Sequence, residues 1–162
     1  MAIEQFRIDD RLVHGQVVIG WGQPLGLTHL VIVDDAMVEN AWEADLYRMA
    51  TPPGMTLDVE SVASFAAHPQ PLDRHLGAGM VLTTNVDTMR RLVEAVPGIR
   101  TVTIGGLHHQ PGRAPSLPYV FLSTEDIANL GALAASGVAV IAQDLPGSTP
   151  VPLGDLVAAG GV

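Results

Sequence analysis

RIDDRLVHGQVVIGW, residues 7–21, reads as a strand, a charged loop and a helix in direct succession. The alternation around Phe6 and Ile8 is that of a half-buried strand, and Val17, Val18 and Trp21 fall on one face of a helix that starts near Gly15. His14 therefore belongs at the carboxyl end of a strand and beside the free N–H groups that open a helix, a place suited to an anion. An imidazole there, among Asp9, Asp10 and Arg11, is able to accept a phosphoryl group and pass it on. A loop histidine that only bonds a neighbouring carboxylate fits the same spacing.

Outward from this unit the chain alternates strands and helices. Residues 30–35 (LVIVDD) form a second buried strand ending in two carboxylates, and residues 36–49 form a helix with Trp42, Leu46 and Met49 on one side, stopped by Thr51-Pro-Pro-Gly54. Strands follow at 55–61, 79–84, 100–106, 119–122 and 138–144. A short helix is expected at 62–67, longer ones at 86–96 and 124–136, and a terminal helical turn at 153–159. Residues 111–118 hold too much Pro, Gly and Arg for regular structure. The fold class is α/β: one domain, residues 1–162, built on an open, mostly parallel sheet with helices on both faces. The short connection before Tyr119 leaves room for an antiparallel edge strand.

Composition narrows the chemistry. The 162 residues are 48% hydrophobic, enough for one sizeable core. With no cysteine, disulfides, thiolate nucleophiles and cysteine metal sites are excluded. All eight basic residues are arginine, which removes Schiff-base lysine and P-loop lysine chemistry. A formal charge of −9 disfavours nucleic acid as a partner. No apolar run reaches membrane-spanning length and the N-terminus does not read as a leader, so a cytoplasmic protein is expected.

Parallel sheets bind ligands at their carboxyl edge, which brings four loops together. The first carries Asp9, Asp10, Arg11 and His14; either aspartate can orient the imidazole, and Arg11 can balance oxyanion charge. The same residues can serve only as an Asp–Arg pair that fixes the loop. The second carries Asp34 and Asp35. The third offers Thr84 and Asn85 at a helix start, for a ligand or as simple N-caps. The fourth joins Gly105 and Gly106, which permit close backbone approach, to His108 and His109. Adjacent histidines make poor metal ligands, and neither nucleotide-binding glycine fingerprint is present. His29 is read as preceding a strand, His68 and His75 as exposed, Trp21 and Trp42 as core anchors. A Ser123–His14–Asp10 hydrolase lacks its nucleophile elbow.

The opening segment also resembles the signature of the mannose/sorbose-type enzyme IIB component of the bacterial phosphoenolpyruvate-dependent sugar phosphotransferase system, whose D-D-R-L-[IV]-H-G-Q-V loop bears the phosphorylated histidine. VDD at 33–35, PPG at 52–54, TIGGLHH at 103–109 and VAVIAQDLP at 138–146 are similar to the family layout and come in its order. The resemblance implies that His14 is the covalent carrier, Arg11 the stabiliser of the transferred group, and Asp10 the first choice for orienting the imidazole or organising the loop. It further implies a phosphate cradle of Gly15, Gln16 and Thr84, supported by Asp9, Asn85, Gly106 and His108. The donor would be a phosphorylated IIA domain and the acceptor a sugar held by membrane IIC and IID components, at whose cytoplasmic side the protein would associate. No metal, nucleotide or other cofactor is implied, and a homodimer is permitted. The alternative is an orphan regulatory phosphocarrier or protein-interaction domain. The lack of lysine, the G-W-G-Q segment at 20–23 and DLPGSTP at 144–150 depart from the usual family pattern.

Overall fold

The computed structural model describes residues 2–68 and 77–159. Its centre is the strand β1, Ala2–Asp9, flanked in parallel by β4, Ala78–Thr83, and β5, Thr101–Gly106. Beyond β4 lie β2, Leu27–Val33, and β3, Thr56–Glu60; beyond β5 lie β8, Ala139–Ala142, and the two-residue β9, Val151–Pro152. The seven-stranded sheet thus has the order β3-β2-β4-β1-β5-β8-β9, parallel throughout except for the β8–β9 pair. The register sets Asp9 opposite Gly106 and Ile8 opposite Thr83, so these strand ends emerge side by side.

Period-two alternation sorts the strand residues between two cores. In β2, Val31 and Val33 join one cluster with Ile8, Val81 and Ile104, while Leu30 and Ile32 join the other with Met80 and Leu82. The first core is covered by α4, Val62–Ala67, α5, Val86–Ala95, and α6, Thr124–Ala135, which contribute Phe65, Met89, Leu92, Leu130 and Leu133. The second takes Val17 and Trp21 from a π-helical segment, Gln16–Trp21, that runs into α1, Gly22–Leu25.

Several expectations are corrected. The helix read at 36–49 is two: α2, Asp35–Val38, and α3, Ala41–Ala50. Asn40 lies between them and accepts the Glu43 N–H, capping a fresh start. α3 buries Ala44 and turns Trp42, Leu46 and Met49 outward; Trp42 is 73% exposed and is no core anchor. Periodicity located an apolar stripe but not the side that faces the sheet. Residues 111–118 are not all irregular, because Ala114–Leu117 is a strand, β6, paired antiparallel with β7, Val120–Leu122. That hairpin is a separate two-stranded sheet tied to the end of β5 by a parallel bridge between Leu107 and Val120, and the antiparallel edge strand of the main sheet is β9, ahead of α7, Leu153–Ala159. His29 lies within β2, with its Nδ1 2.7 Å from the Thr28 hydroxyl. His68 is exposed, and His75 lies outside the described residues. No helix among the described residues is long and apolar enough to cross a membrane.

Candidate functional site

At the end of β1 the chain turns through Asp9–Leu12, closed by the Leu12 N–H to the Asp9 carbonyl at 3.0 Å. Leu12 takes the left-handed conformation, φ 55°, with its side chain fully buried. A branched residue rarely adopts that conformation, and here the packing of its side chain in the second core holds it there. The turn lifts Val13 and His14 over the edge of the sheet. The His14 carbonyl accepts the N–H groups of both Val17 and Val18, and the N–H groups of Gly15 and Gln16 lie at the mouth of the π-helical segment that follows.

Asp9 is the hub. Its carboxylate is fully buried and receives the Arg11 backbone N–H at 3.1 Å and the Arg11 Nε and Nη2 at 3.2 Å each. It also meets His14 Nε2 at 3.0 Å, and Arg7 Nε stands 3.7 Å away. Burial by itself would raise the Asp9 carboxyl; the bonds from His14 and Arg11 outweigh it and hold the group below the usual carboxylate range. Gln16 adds a second support, its Oε1 accepting from Arg11 Nη2 at 2.9 Å. His14 remains 17% exposed, and Arg11 34%, so the cluster opens to solvent on the side of those two residues.

Beneath Asp9 lies Arg7, fully buried in a central strand. Its Nη1 donates to Gln5 Oε1 and to the Gln143 carbonyl, its Nη2 donates to the Asp144 carbonyl at 3.0 Å, and its guanidinium stacks 5.1 Å from the Trp21 ring centre. Trp21 Nε1 donates to the same Asp144 carbonyl at 2.8 Å. Desolvation pushes the Arg7 guanidinium down to about 10, against the attraction of Asp9. Gly105 leaves the space it occupies: a Cβ there would fall on the guanidinium. Gly106 does the same for the rim, since a Cβ there would come within 3.0 Å of Arg11 Nη2 and 3.3 Å of Asp9 Oδ1.

The expected residues are therefore brought together unequally. Asp9, not Asp10, holds the His14 ring. Asp10 is turned to the fourth loop, where it accepts the His108 N–H at 2.7 Å and lies 2.6 Å from His108 Nδ1. His109 points elsewhere, edge-on to Phe121. Thr84 is committed to the second loop, donating to Asp34 at 3.3 Å, and Asn85 caps α5 through the Thr88 N–H. Asp35 binds the Val62 N–H and Arg91. Arg7, Gln16's grip on Arg11, and the Gln143–Asp144 carbonyls escaped the reading of the sequence. The one available signal was an arginine between Phe6 and Ile8 in a strand expected to be central, where a charge needs a partner.

Residues 3–161 match the family model described as the PTS system sorbose subfamily IIB component. The chain is 33% identical over 141 residues to the sorbose-specific EIIB component of Klebsiella pneumoniae, covering 85% of this chain and 84% of that protein. It is 28% identical over 160 residues to the mannose-specific EIIAB component of Escherichia coli K12, covering 97% of this chain but 49% of the relative, so it spans about half the length of that protein. The crystal structure of the IIBSor domain of the Klebsiella pneumoniae sorbose permease superposes with a TM-score of 0.87 at 28% identity, over 98% of this chain and 97% of that one. With the family model covering nearly every residue and the His14 loop built at the edge of the same sheet, the chain belongs to the sorbose subfamily of IIB components of the sugar phosphotransferase system.

Proposed function

We propose that the protein is a phosphohistidine carrier in which His14 Nδ1 takes a phosphoryl group from a phosphorylated IIA domain and yields it to a sugar held by IIC and IID membrane components. One observation carries this reading: His14 Nε2 is engaged by the buried Asp9 carboxylate at 3.0 Å. A carboxylate only accepts, so Nε2 carries the proton and Nδ1 presents its lone pair. That lone pair attacks phosphorus as the bond to the donor histidine breaks, and the positive charge gained by the ring is shared with Asp9. Arg11 keeps Nη1 free of partners among the described residues, and with the Gly15 and Gln16 N–H groups it supplies donors for the phosphoryl oxygens. In the second transfer a sugar hydroxyl oxygen displaces Nδ1, the electron pair returns to the ring and the hydroxyl proton is released. The positioning and charge balance need no metal, because the donor is already a phosphoprotein. A domain of this kind works at the cytoplasmic side of its membrane partners.

The test is intact mass and peptide mapping after incubation with phosphoenolpyruvate, the general phosphotransfer proteins and a matching IIA, handled under alkaline conditions. One phosphate on His14 is expected, absent in His14→Ala. Failure to accept phosphate from a demonstrably phosphorylated, matched IIA would overturn the carrier assignment. Phosphate acceptance with no sugar phosphate formed in vesicles containing the matching IIC and IID would favour the regulatory alternative.

A further inference from the structure

Asp9 and Asp10 are neighbours in sequence and each holds a histidine. Asp9 takes His14 through Nε2; Asp10 takes His108 through Nδ1 and also accepts the His108 backbone N–H. The second pair is braced from behind. Arg113, 10% exposed, donates to the His108 carbonyl at 3.1 Å, stands 3.9 Å from Asp10 Oδ2 and pairs with Asp126 at 3.3 Å. With Nδ1–H committed to a carboxylate, the His108 ring cannot spin, and Nε2 faces away from Asp10.

The direction it faces follows from Gly106. The point where a Cβ of that residue would lie is 3.0 Å from Arg11 Nη2, 3.3 Å from Asp9 Oδ1 and 3.3 Å from His108 Cε1. The Cε1 edge of the His108 ring thus borders the same small space as the Arg11 guanidinium, and Nε2 is bonded to Cε1 on the side away from Asp10. The charge balance calls for a further donor: Arg11 is shared with the Asp9 carboxylate and Arg7 is sealed below it, while a phosphoryl group brings close to two negative charges.

We propose that His108 is a second phosphoryl ligand, donating from Nε2–H to a phosphoryl oxygen during transfer to and from His14 Nδ1. The imidazolium sits between the Asp10 carboxylate and the anionic oxygens, makes no bond to phosphorus and returns unchanged. This rests on the carrier reading of His14 and assigns to the Asp10–His108 pair a task distinct from covalent catalysis.

Phosphoryl transfer from a phosphorylated IIA is to be timed by rapid quench for the full chain and for His108→Ala, His108→Gln and Asp10→Asn. Loss of one oriented donor predicts a rate roughly 100-fold lower for His108→Ala, with the KM for IIA within about twofold and one phosphate still ending on His14. His108→Gln, which keeps an N–H donor, should retain most of the rate, and added imidazole should restore part of it to His108→Ala. Asp10→Asn should slow transfer in the same direction, by freeing the ring. A wild-type rate in His108→Ala, with His14 phosphorylated, would overturn the proposal and leave the carrier reading standing. Phosphate mapped to His108 in His14→Ala would overturn it in favour of a second nucleophile. A wild-type chain that accepts no phosphate would instead remove the carrier reading on which it rests.

Discussion

At the scale of single residues the site is a problem of charge in a dry place. Asp9 is buried yet ionised because His14 and Arg11 bond to it, and the two arginines around it lie in room left by glycines. Gly105 is the sharpest example. Its missing Cβ is the room in which the Arg7 guanidinium lies, and Arg7 in turn is pinned by two backbone carbonyls and by Trp21, so it has nowhere to retreat. Gly105→Ala should therefore destabilise the protein by about 1–3 kcal/mol, as an overpacked core does, read as a lower urea midpoint with an unchanged slope. It should also slow phosphoryl acceptance, because a displaced Arg7 lets Asp9 shift under His14. A midpoint equal to wild type would show that the guanidinium has more freedom than its contacts allow. The loop sequence showed which residue types assemble here. It did not show that Asp9 rather than Asp10 would hold the imidazole, since both carboxylates follow the same strand and their directions depend on a turn whose left-handed residue is Leu12, a type that announces no such conformation.

At the scale of elements periodicity located strands and helices, while the buried face and the breaks of a helix were set by capping residues and tertiary packing. Ser123 stands ahead of Glu125 and Asp126 in the chain, an order suited to a helix start, and the structure closes a full capping box there: the Ser123 hydroxyl oxygen accepts the Asp126 N–H at 3.0 Å and the Asp126 carboxylate accepts the Ser123 N–H at 2.9 Å. Asp126 also anchors Arg113, so this cap fastens the loop that carries His108. Ser123→Ala should cost about 1 kcal/mol, measured by chemical denaturation, with little effect on the rate of phosphoryl acceptance by His14. A loss well below that figure would mean that tertiary packing of Leu130 and Leu133, rather than the cap, fixes the helix start. In α3 the apolar spacing of Trp42, Leu46 and Met49 was real, yet the stripe faces outward, because the asparagine at 40 restarts the helix and presents Ala44 to the sheet. The π-helical segment after His14 had no warning in composition.

At the scale of the whole molecule, three carboxylates share one electrostatic bias. Asp9 is held low by His14 and Arg11 against its burial, Asp35 by the Val62 N–H and Arg91, and Asp144 by Ser148 and the Leu145 N–H. A carboxyl whose folded value lies below its ordinary one contributes stability that is fully present above that ordinary value, 3.8, and is lost as pH falls through the folded value. Stability should therefore begin to decline as the pH drops below 3.8. Urea midpoints measured from pH 5 downward should show this, with a shallower decline in Asp9→Asn. An identical decline in that variant would remove Asp9 from the acid response. What the sequence by itself determined is the alternation of buried strands with helices, the parallel sheet this requires, and the gathering of Asp9, Asp10, Arg11 and His14 in one loop at the sheet's carboxyl edge, because periodicity and short-range spacing are local properties of the chain. Which carboxylate meets which imidazole, and how a buried arginine comes to sit below them, was decided only by the tertiary structure. The Asp10–His108 and Arg7–Asp144 contacts join residues 98 and 137 positions apart through the register of β1 on β5 and the loop after β8, which no local pattern encodes, and the Asp9–His14 contact, within one loop, depends on the left-handed Leu12 that core packing holds in place.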